Sequence, residues 1–219
     1  MKGRILPAKG SAEQIPDVVI QRLPLYARTL ARLAEDHVEV ISSFDLGSLL
    51  GSTPAQIRKD LSYFGRFGKQ GTGYDVSYLL SQIREILGLN KEWPMALVGV
   101  GRLGQAIARY PGFSAAGLRI VALFDVDPDK VGKRVEGIAI QSIEEMPAVL
   151  KARDIQIAIL AVPSSTAQRL TDILVQGGAK AILNYAPVSL KTPPSIVVRS
   201  IDPVLVLQSM TFYLDGSGS

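Results

Sequence analysis

Three glycines in "MALVGVGRLGQAIARY", residues 95–110, carry the first piece of chemistry in this chain. Gly99, Gly101 and Gly104 stand in the spacing G-x-G-x-x-G. Read as a dinucleotide-binding turn, Gly99 permits the tight bend and Gly101 lets the backbone approach a pyrophosphate. Gly104 lets helix pack closely on strand, and the helix N-terminus faces the phosphates. Val100, Arg102 and Leu103 complete the turn and are assigned with the glycines to cofactor binding. An apolar strand precedes the turn, a helix follows it, and Asp125 ends the next strand. That acid would bind the adenine-ribose hydroxyls and repel a 2′-phosphate, favouring NAD over NADP.

A second set of residues suits nucleic acid. In "STPAQIRKDLSYFG" Thr53 can cap a helix, Pro54 fits its first position and Gln56 completes a capping box. Ile57, Leu61 and Phe64 share one face, which leaves Gln56, Arg58, Lys59, Ser62 and Tyr63 outward, able to meet base edges and phosphates in a major groove. A short helix from about Ser43 to Leu50, stopped by Gly51, precedes it and makes a helix-turn-helix pattern. The glycine-rich "GRFGKQGTGYDV" that follows reads as a hairpin, with Arg66 and Lys69 placed as on a wing.

Groups for catalysis are scarce. The chain has no cysteine and a single histidine, His37, so thiol redox chemistry is excluded and a transition-metal site is not expected. His37 falls at a helix end. No Y-x-x-x-K pair follows the fingerprint, and Glu144 and Glu145 read as the acidic start of a helix. Reduction of a carbonyl needs a positioned acid and commonly a substrate domain. Binding is provided for; chemistry is not.

The elements that must position these groups follow from periodicity. The 219 residues, 47% of them hydrophobic, suffice for one large or two modest domains. A net charge of +4 permits nucleic-acid binding without demanding it. No signal peptide or membrane span is read, so a cytoplasmic protein is expected. Residues 1–14 read as a flexible arm. From Ile15 to His37 the apolar positions recur at helical spacing, with Pro24 expected to kink or break the helix. Residues 15–89 then form a winged helix-turn-helix domain, including a helix over 77–88. Residues 90–202 alternate strand and helix as a Rossmann-type α/β domain with a parallel sheet. Its strands are expected at Met95–Val100, Arg119–Val126, Ile138–Gln141, Gln156–Val162, Lys180–Tyr185 and Ile196–Ile201. Residues 203–219 form an apolar helix, "PVLVLQSMTFYL", and a polar tail. So greasy a terminal helix must be buried in something.

Four stretches, "IRKDLSYFGRFGKQGTGYDV", "VGVGRLGQAIARYPGF", "FDVDPDKVG" and "AILNYAPV", together resemble the bacterial redox-sensing transcriptional repressors of the Rex family. The resemblance runs from about Ile15 to Leu214 in the family's order. It implies a homodimer whose C-terminal helix is swapped into the partner, a winged-helix reader of a palindromic operator, and a Rossmann domain responding to the NADH/NAD⁺ ratio. NADH binding would release the DNA. The same resemblance implies that Tyr110 and Asp202 lie near the nicotinamide and that Arg28 and Asp202 act as a switch. One departure is Pro203, where the family carries a large apolar residue. Two other readings remain at this point: a small NAD-dependent oxidoreductase with a helical extension, and a nucleotide-binding subunit of a larger complex.

Overall fold

The structure is a computed structural model that describes residues 15–69 and 72–214. The expected arm (1–14) and the polar tail (215–219) lie outside the described residues. The chain divides into two compact units after Lys91.

The first unit is built on α1 (Asp17–Glu35), whose stripe of Val19, Leu23, Tyr26, Ala27 and Leu30 is buried. Pro24 does not break this helix, which runs unbroken through it. The missing backbone donor costs one bond, but Leu23, Tyr26 and Ala27 on either side are held in the core, and packing outweighs the local penalty. His37 follows the helix with a positive φ of 58°, a left-handed terminator. After β1 (Val40–Ile41), Ser42 caps α2 (Ser43–Leu50) by accepting from the Asp45 N–H at 3.0 Å, and Gly51 ends it in the left-handed conformation.

Thr53 then caps α3 (Pro54–Ser62), accepting from the Gln56 N–H at 3.1 Å. Two short strands, β2 (Gly68–Lys69) and β3 (Gly73–Asp75), form the expected hairpin, and β1 adds to it in the order β1-β3-β2, all antiparallel. Asp75 caps α4 (Val76–Ile86), which packs on α1. Four helices and a small sheet, with α2 and α3 joined by a three-residue turn, make a winged helix-turn-helix.

The second unit begins with β4 (Trp93–Val98), α5 (Arg102–Ala108), α6 (Gly112–Ala115) and β5 (Leu118–Asp125). A hairpin of β6 (Arg134–Val135) and β7 (Ile138–Ser142) follows. A single 3₁₀ turn holding Glu144 and Glu145 leads into α7 (Met146–Ala152), and the unit continues with β8 (Ile157–Leu160), α8 (Ser164–Gln176), β9 (Ala181–Asn184) and β10 (Val197–Ser200). The sheet order is β10-β9-β8-β4-β5-β7-β6, parallel except for the β6 edge. Without β6 this is the doubly wound order 3-2-1-4-5-6, whose direction reverses between β4 and β8. Alternate residues of β4 feed opposite faces. Ala96 and Val98 join Met146, Leu150 and Leu170, while Met95 and Leu97 join Ile107 and Ile140. The last element, α9 (Pro203–Leu214), has no buried residue; Tyr213 and Leu214 are 79% and 84% exposed.

Candidate functional site

At the point where the strand order reverses, the ends of β4, β5 and β8 surround a cavity of about 390 Å³. Its lining includes Gly99, Gly101, Asp125, Asp127, Lys130 and Val162. Open α/β sheets bind ligands at such a switch point, outside the carboxyl ends of the strands.

The three glycines are there for different reasons. Gly99 has φ +91°, and a Cβ on it would lie 2.3 Å from the Ala161 carbonyl oxygen. A Cβ on Gly104 would lie 1.9 Å from the carbonyl oxygen of Gly99. Both are required by the fold itself. Gly101 differs: a Cβ there meets nothing within 4 Å. The protein needs no glycine at that position, whereas a phosphate lying against the backbone does. Arg102 and Leu103 open α5, and Leu103 is exposed.

Asp125 is only 5% exposed, yet it faces this cavity. Its Oδ2 accepts from the Val100 N–H at 2.7 Å and the Lys130 ammonium at 3.1 Å, and its Oδ1 accepts from the Asp127 N–H at 3.0 Å. Burial alone pushes this carboxyl upward. The Asp127 and Val100 N–H groups, with Lys130, outweigh it and hold the acid below the usual carboxylate range. The pairing in turn raises Lys130 against its own desolvation. A carboxylate offers about four lone-pair positions. Three are filled, so one acceptor position on Oδ1 remains for a ribose hydroxyl. The open Gly101 backbone, the unspent acceptor and the neighbouring ammonium fit a nucleotide.

Tyr110 is not brought to this cavity. It follows the far end of α5, is 60% exposed, stacks edge-on with Phe113 at 5.3 Å and lines a different hollow with Arg109 and Glu136. Asp202 accepts from the Val204 N–H at 2.9 Å and so caps α9. Arg28 stands exposed on α1.

In the first unit, Arg58, Lys59 and Ser62 lie exposed on α3, and Arg66 on the approach to the hairpin. Arg58 donates to the Ser43 hydroxyl at 2.9 Å, and the Ser62 hydroxyl donates to the Lys59 carbonyl at 2.7 Å. The backbone of Lys69 lies in β2. Two residues expected to be outward are not free. Tyr63, which follows Ser62 and still has helical backbone angles, is half-buried against the core. Gln56 is half-buried, and its Nε2 donates to Asp60 at 2.6 Å rather than reaching back to complete a capping box.

Asp60 was not anticipated as a key residue. It is fully buried, accepting two bonds from the Arg22 guanidinium (2.6 and 2.7 Å), one from the Tyr26 hydroxyl (2.6 Å) and one from Gln56. Burial pushes Asp60 up, but these donors, Arg22 foremost, bring it below its ordinary value, while burial and the Asp60 charge push Tyr26 up. A signal was present in the sequence, since Asp60 sits three residues after Ile57 and four before Phe64, on the apolar stripe itself.

Comparison with known proteins finds relatives of both units. The family "Putative DNA-binding protein N-terminus" matches residues 14–62, and the family "CoA binding domain" matches residues 90–188. The redox-sensing transcriptional repressor Rex of Roseiflexus sp. (strain RS-1) is 56% identical over 202 residues, covering 92% of each chain. That of Streptomyces coelicolor is 42% identical over 91% of this chain and 77% of its own. Among solved structures, RSP in complex with β-NAD⁺ and operator DNA superposes with a TM-score of 0.88 at 36% identity, covering 93% of this chain and 94% of that one. RSP in complex with β-NADH gives 0.83 at 34% identity, covering 93% and 95%.

Proposed function

This chain belongs to the Rex family of redox-sensing transcriptional repressors, and we propose that its two units divide that task. The winged helix-turn-helix reads a palindromic operator, and the Rossmann-type unit binds NADH or NAD⁺. Its relatives are named as repressors, so the cofactor is a signal here and the oxidoreductase reading is set aside. The observation that carries the proposal is the pairing of an open Gly101 backbone with the unspent acceptor of Asp125 across one cavity.

In this reading Gly99, Val100, Gly101, Arg102, Leu103 and Gly104 form the cradle for the pyrophosphate, and Asp125 holds the adenine ribose. Val100 contributes by anchoring Asp125 rather than by contacting phosphate, since its N–H is already spent. On the DNA side Arg58, Lys59, Ser62, Arg66 and Lys69 supply the contacts, with Gln56 and the half-buried Tyr63 at the edge of that face. The chain acts as a homodimer in the cytoplasm. α9, apolar and exposed along its whole length, is the element swapped into the partner. Two-fold symmetry then calls for a palindromic operator.

When bound, the cofactor supplies a nicotinamide ring that is neutral if reduced and cationic if oxidised. An apolar, water-excluded pocket near Tyr110 penalises the cation by several kcal/mol in the arrangement where the neighbouring Asp202 carboxylate is spent on Arg28 and leaves the ring unpaired. The protein therefore prefers NADH, and transmits no more free energy than that preference between two dimer arrangements. Arg28 and Asp202 pair in one arrangement only and bias that equilibrium.

Operator binding by fluorescence anisotropy, titrated with NADH and with NAD⁺ separately, tests the proposal. NADH weakens operator binding, NAD⁺ does so far less, and bound operator weakens NADH by the same factor. The Arg28→Ala variant still binds NADH but couples it to DNA less strongly. Operator affinity indifferent to NADH overturns the sensor reading, whereas coupling untouched in Arg28→Ala removes only the switch role of Arg28.

A further inference from the structure

We infer that Gln56 reads the operator as a fixed hydrogen-bond acceptor, its amide turned by the buried Asp60, so that the base it meets presents an exocyclic amine. This inference rests on the reading of α3 as the DNA-contacting helix.

A glutamine free in solution is ambiguous. It carries a carbonyl acceptor and an NH₂ donor, and it can grip adenine with both at once, through N6 and N7. Gln56 has lost the freedom to flip, although one of its two amide N–H groups stays unspent. Asp60 stands one helical turn below it at i+4, fully buried, and its Oδ1 takes the Gln56 Nε2–H at 2.6 Å. Arg22 binds both carboxylate oxygens from α1, at 2.6 and 2.7 Å, and the Tyr26 hydroxyl adds a fourth bond at 2.6 Å. Those groups keep Asp60 ionised near neutral pH, and an ionised carboxylate accepts only. Flipping the amide would set its carbonyl against that charge and leave one acceptor position of a buried carboxylate unfilled.

The Gln56 Oε1 is therefore turned outward as an acceptor, with the second Nε2–H beside it. Among the described residues no protein group donates to it, and Gln56 is half-exposed in the first turn of α3. Residues in the first turn of a recognition helix are the ones that reach base edges. In the major groove the donors are the N6 amine of adenine and the N4 amine of cytosine, while guanine and thymine offer acceptors at the corresponding edge. Gln56 thus selects adenine or cytosine over guanine or thymine at its position. Arg22, Tyr26 and Asp60 are positioning residues: none need touch the operator, and together they fix which end of the Gln56 amide does.

The test uses full-length protein and an operator selected from a palindromic DNA library. In the selected operator each adenine of a half-site is replaced in turn by purine, and each cytosine by 2-pyrimidinone, deleting one exocyclic amine at a time. A parallel series with 7-deazapurines deletes the N7 acceptors. Anisotropy gives affinities for the wild type and for Gln56→Ala, with Gln56→Met as a length-preserving second variant in case alanine impairs folding.

At one position per half-site, loss of the amine weakens wild-type binding by on the order of tenfold and leaves the Gln56 variants unaffected. Loss of N7 distinguishes wild type from the variants only at a base whose amine is also coupled, where the second Nε2–H reaches N7. Coupling of Gln56 to an N7 with no coupled amine overturns the assigned orientation. Absence of any coupled position, with wild-type operator binding intact, shows that Gln56 reads no base and leaves the repressor reading standing. Failure of the wild type to select any DNA defeats the reading of α3 as well.

Discussion

Among the described residues each unit buries one aspartate, and the two are finished differently. Asp60 accepts four hydrogen bonds, from Arg22, Tyr26 and Gln56, and has no acceptor position left. Asp125, which lines a cavity, accepts three, from Val100, Asp127 and Lys130, and keeps one position unfilled. Both carboxyls are held below their ordinary range against the opposing pull of burial. A low pKa therefore does not separate a structural acid from a ligand-binding one here. The unfilled lone pair does. The filled carboxylate joins α1 to α3 and fixes the reading helix, whereas the unfilled one awaits a partner from outside the chain.

The same contrast between closed and open sites runs through the glycine turn, and there it has the largest expected effect. Gly104→Ala drives a Cβ to 1.9 Å from the Gly99 carbonyl oxygen, so the β4–α5 packing must open. The second unit should lose about 3 kcal/mol or more, read from urea unfolding. Gly101→Ala meets nothing within 4 Å and should keep wild-type stability while losing NADH affinity by on the order of tenfold or more in calorimetry. Equal stability losses in the two variants would break the distinction between a glycine kept for the fold and one kept for a ligand.

The carboxylates come next. Asp60→Ala strands the buried Tyr26 hydroxyl and leaves the Arg22 side chain, 30% exposed, without its partner. A cost of about 2–3 kcal/mol is expected by urea unfolding, less than for a fully buried pair because water reaches Arg22. NADH binding should be unchanged. Asp125→Ala should cost about 1 kcal/mol in stability but weaken NADH and relax the discrimination against NADPH, as the acceptor and the repelling charge go together. Lys130, left with its 3.5 Å pair to Asp127, would then be able to meet a 2′-phosphate. If Asp60→Ala abolished NADH binding and Asp125→Ala only lowered stability, the roles would be reversed.

The smallest effect is in pH. A carboxyl whose folded pKa lies below its unfolded value stabilises the fold above the unfolded value. That contribution is lost as pH falls through the folded one. Stability should therefore be level near neutrality and decline below about pH 4, from the ordinary carboxylate range downward. Asp60→Asn, already less stable at pH 7, should lose less stability than the wild type on acidification to pH 3. An unchanged acid slope would show that Asp60 is not the group that titrates.

Much of this was legible beforehand where the signal is local. The fingerprint, the Thr53 cap, the Gly51 stop and the parallel strands of the second unit each declare themselves within a few residues, and each is where the sequence puts it. Boundaries were less legible: β4 and β5 have the expected lengths but begin two and one residues earlier, and β7 is one residue longer. β8, β9 and β10 are two or three residues shorter because sheet pairing stops before their apolar runs do. What stayed hidden was non-local or brief. Arg22 and Asp60 are 38 residues apart, and their partnership needs the fold. Asp60 on an apolar stripe reads as surface charge unless a cation is known to cover it. The two-residue strands β1 and β6 have no periodicity to detect. Pro24 shows the opposite failure, a strong local signal overruled by packing on both sides.

The empty space beside Gly101 also bears on descent. Selection for a foldable chain holds Gly99 and Gly104 in any relative with this turn, but it has no purchase on position 101. In a lineage that kept the DNA-reading unit and ceased to sense nucleotide, position 101 would drift first. Asp125 would follow it more slowly, because its ties to Val100 and Asp127 still serve the turn. A side chain at position 101 between two intact glycines would thus mark a repressor that has stopped listening to its redox signal.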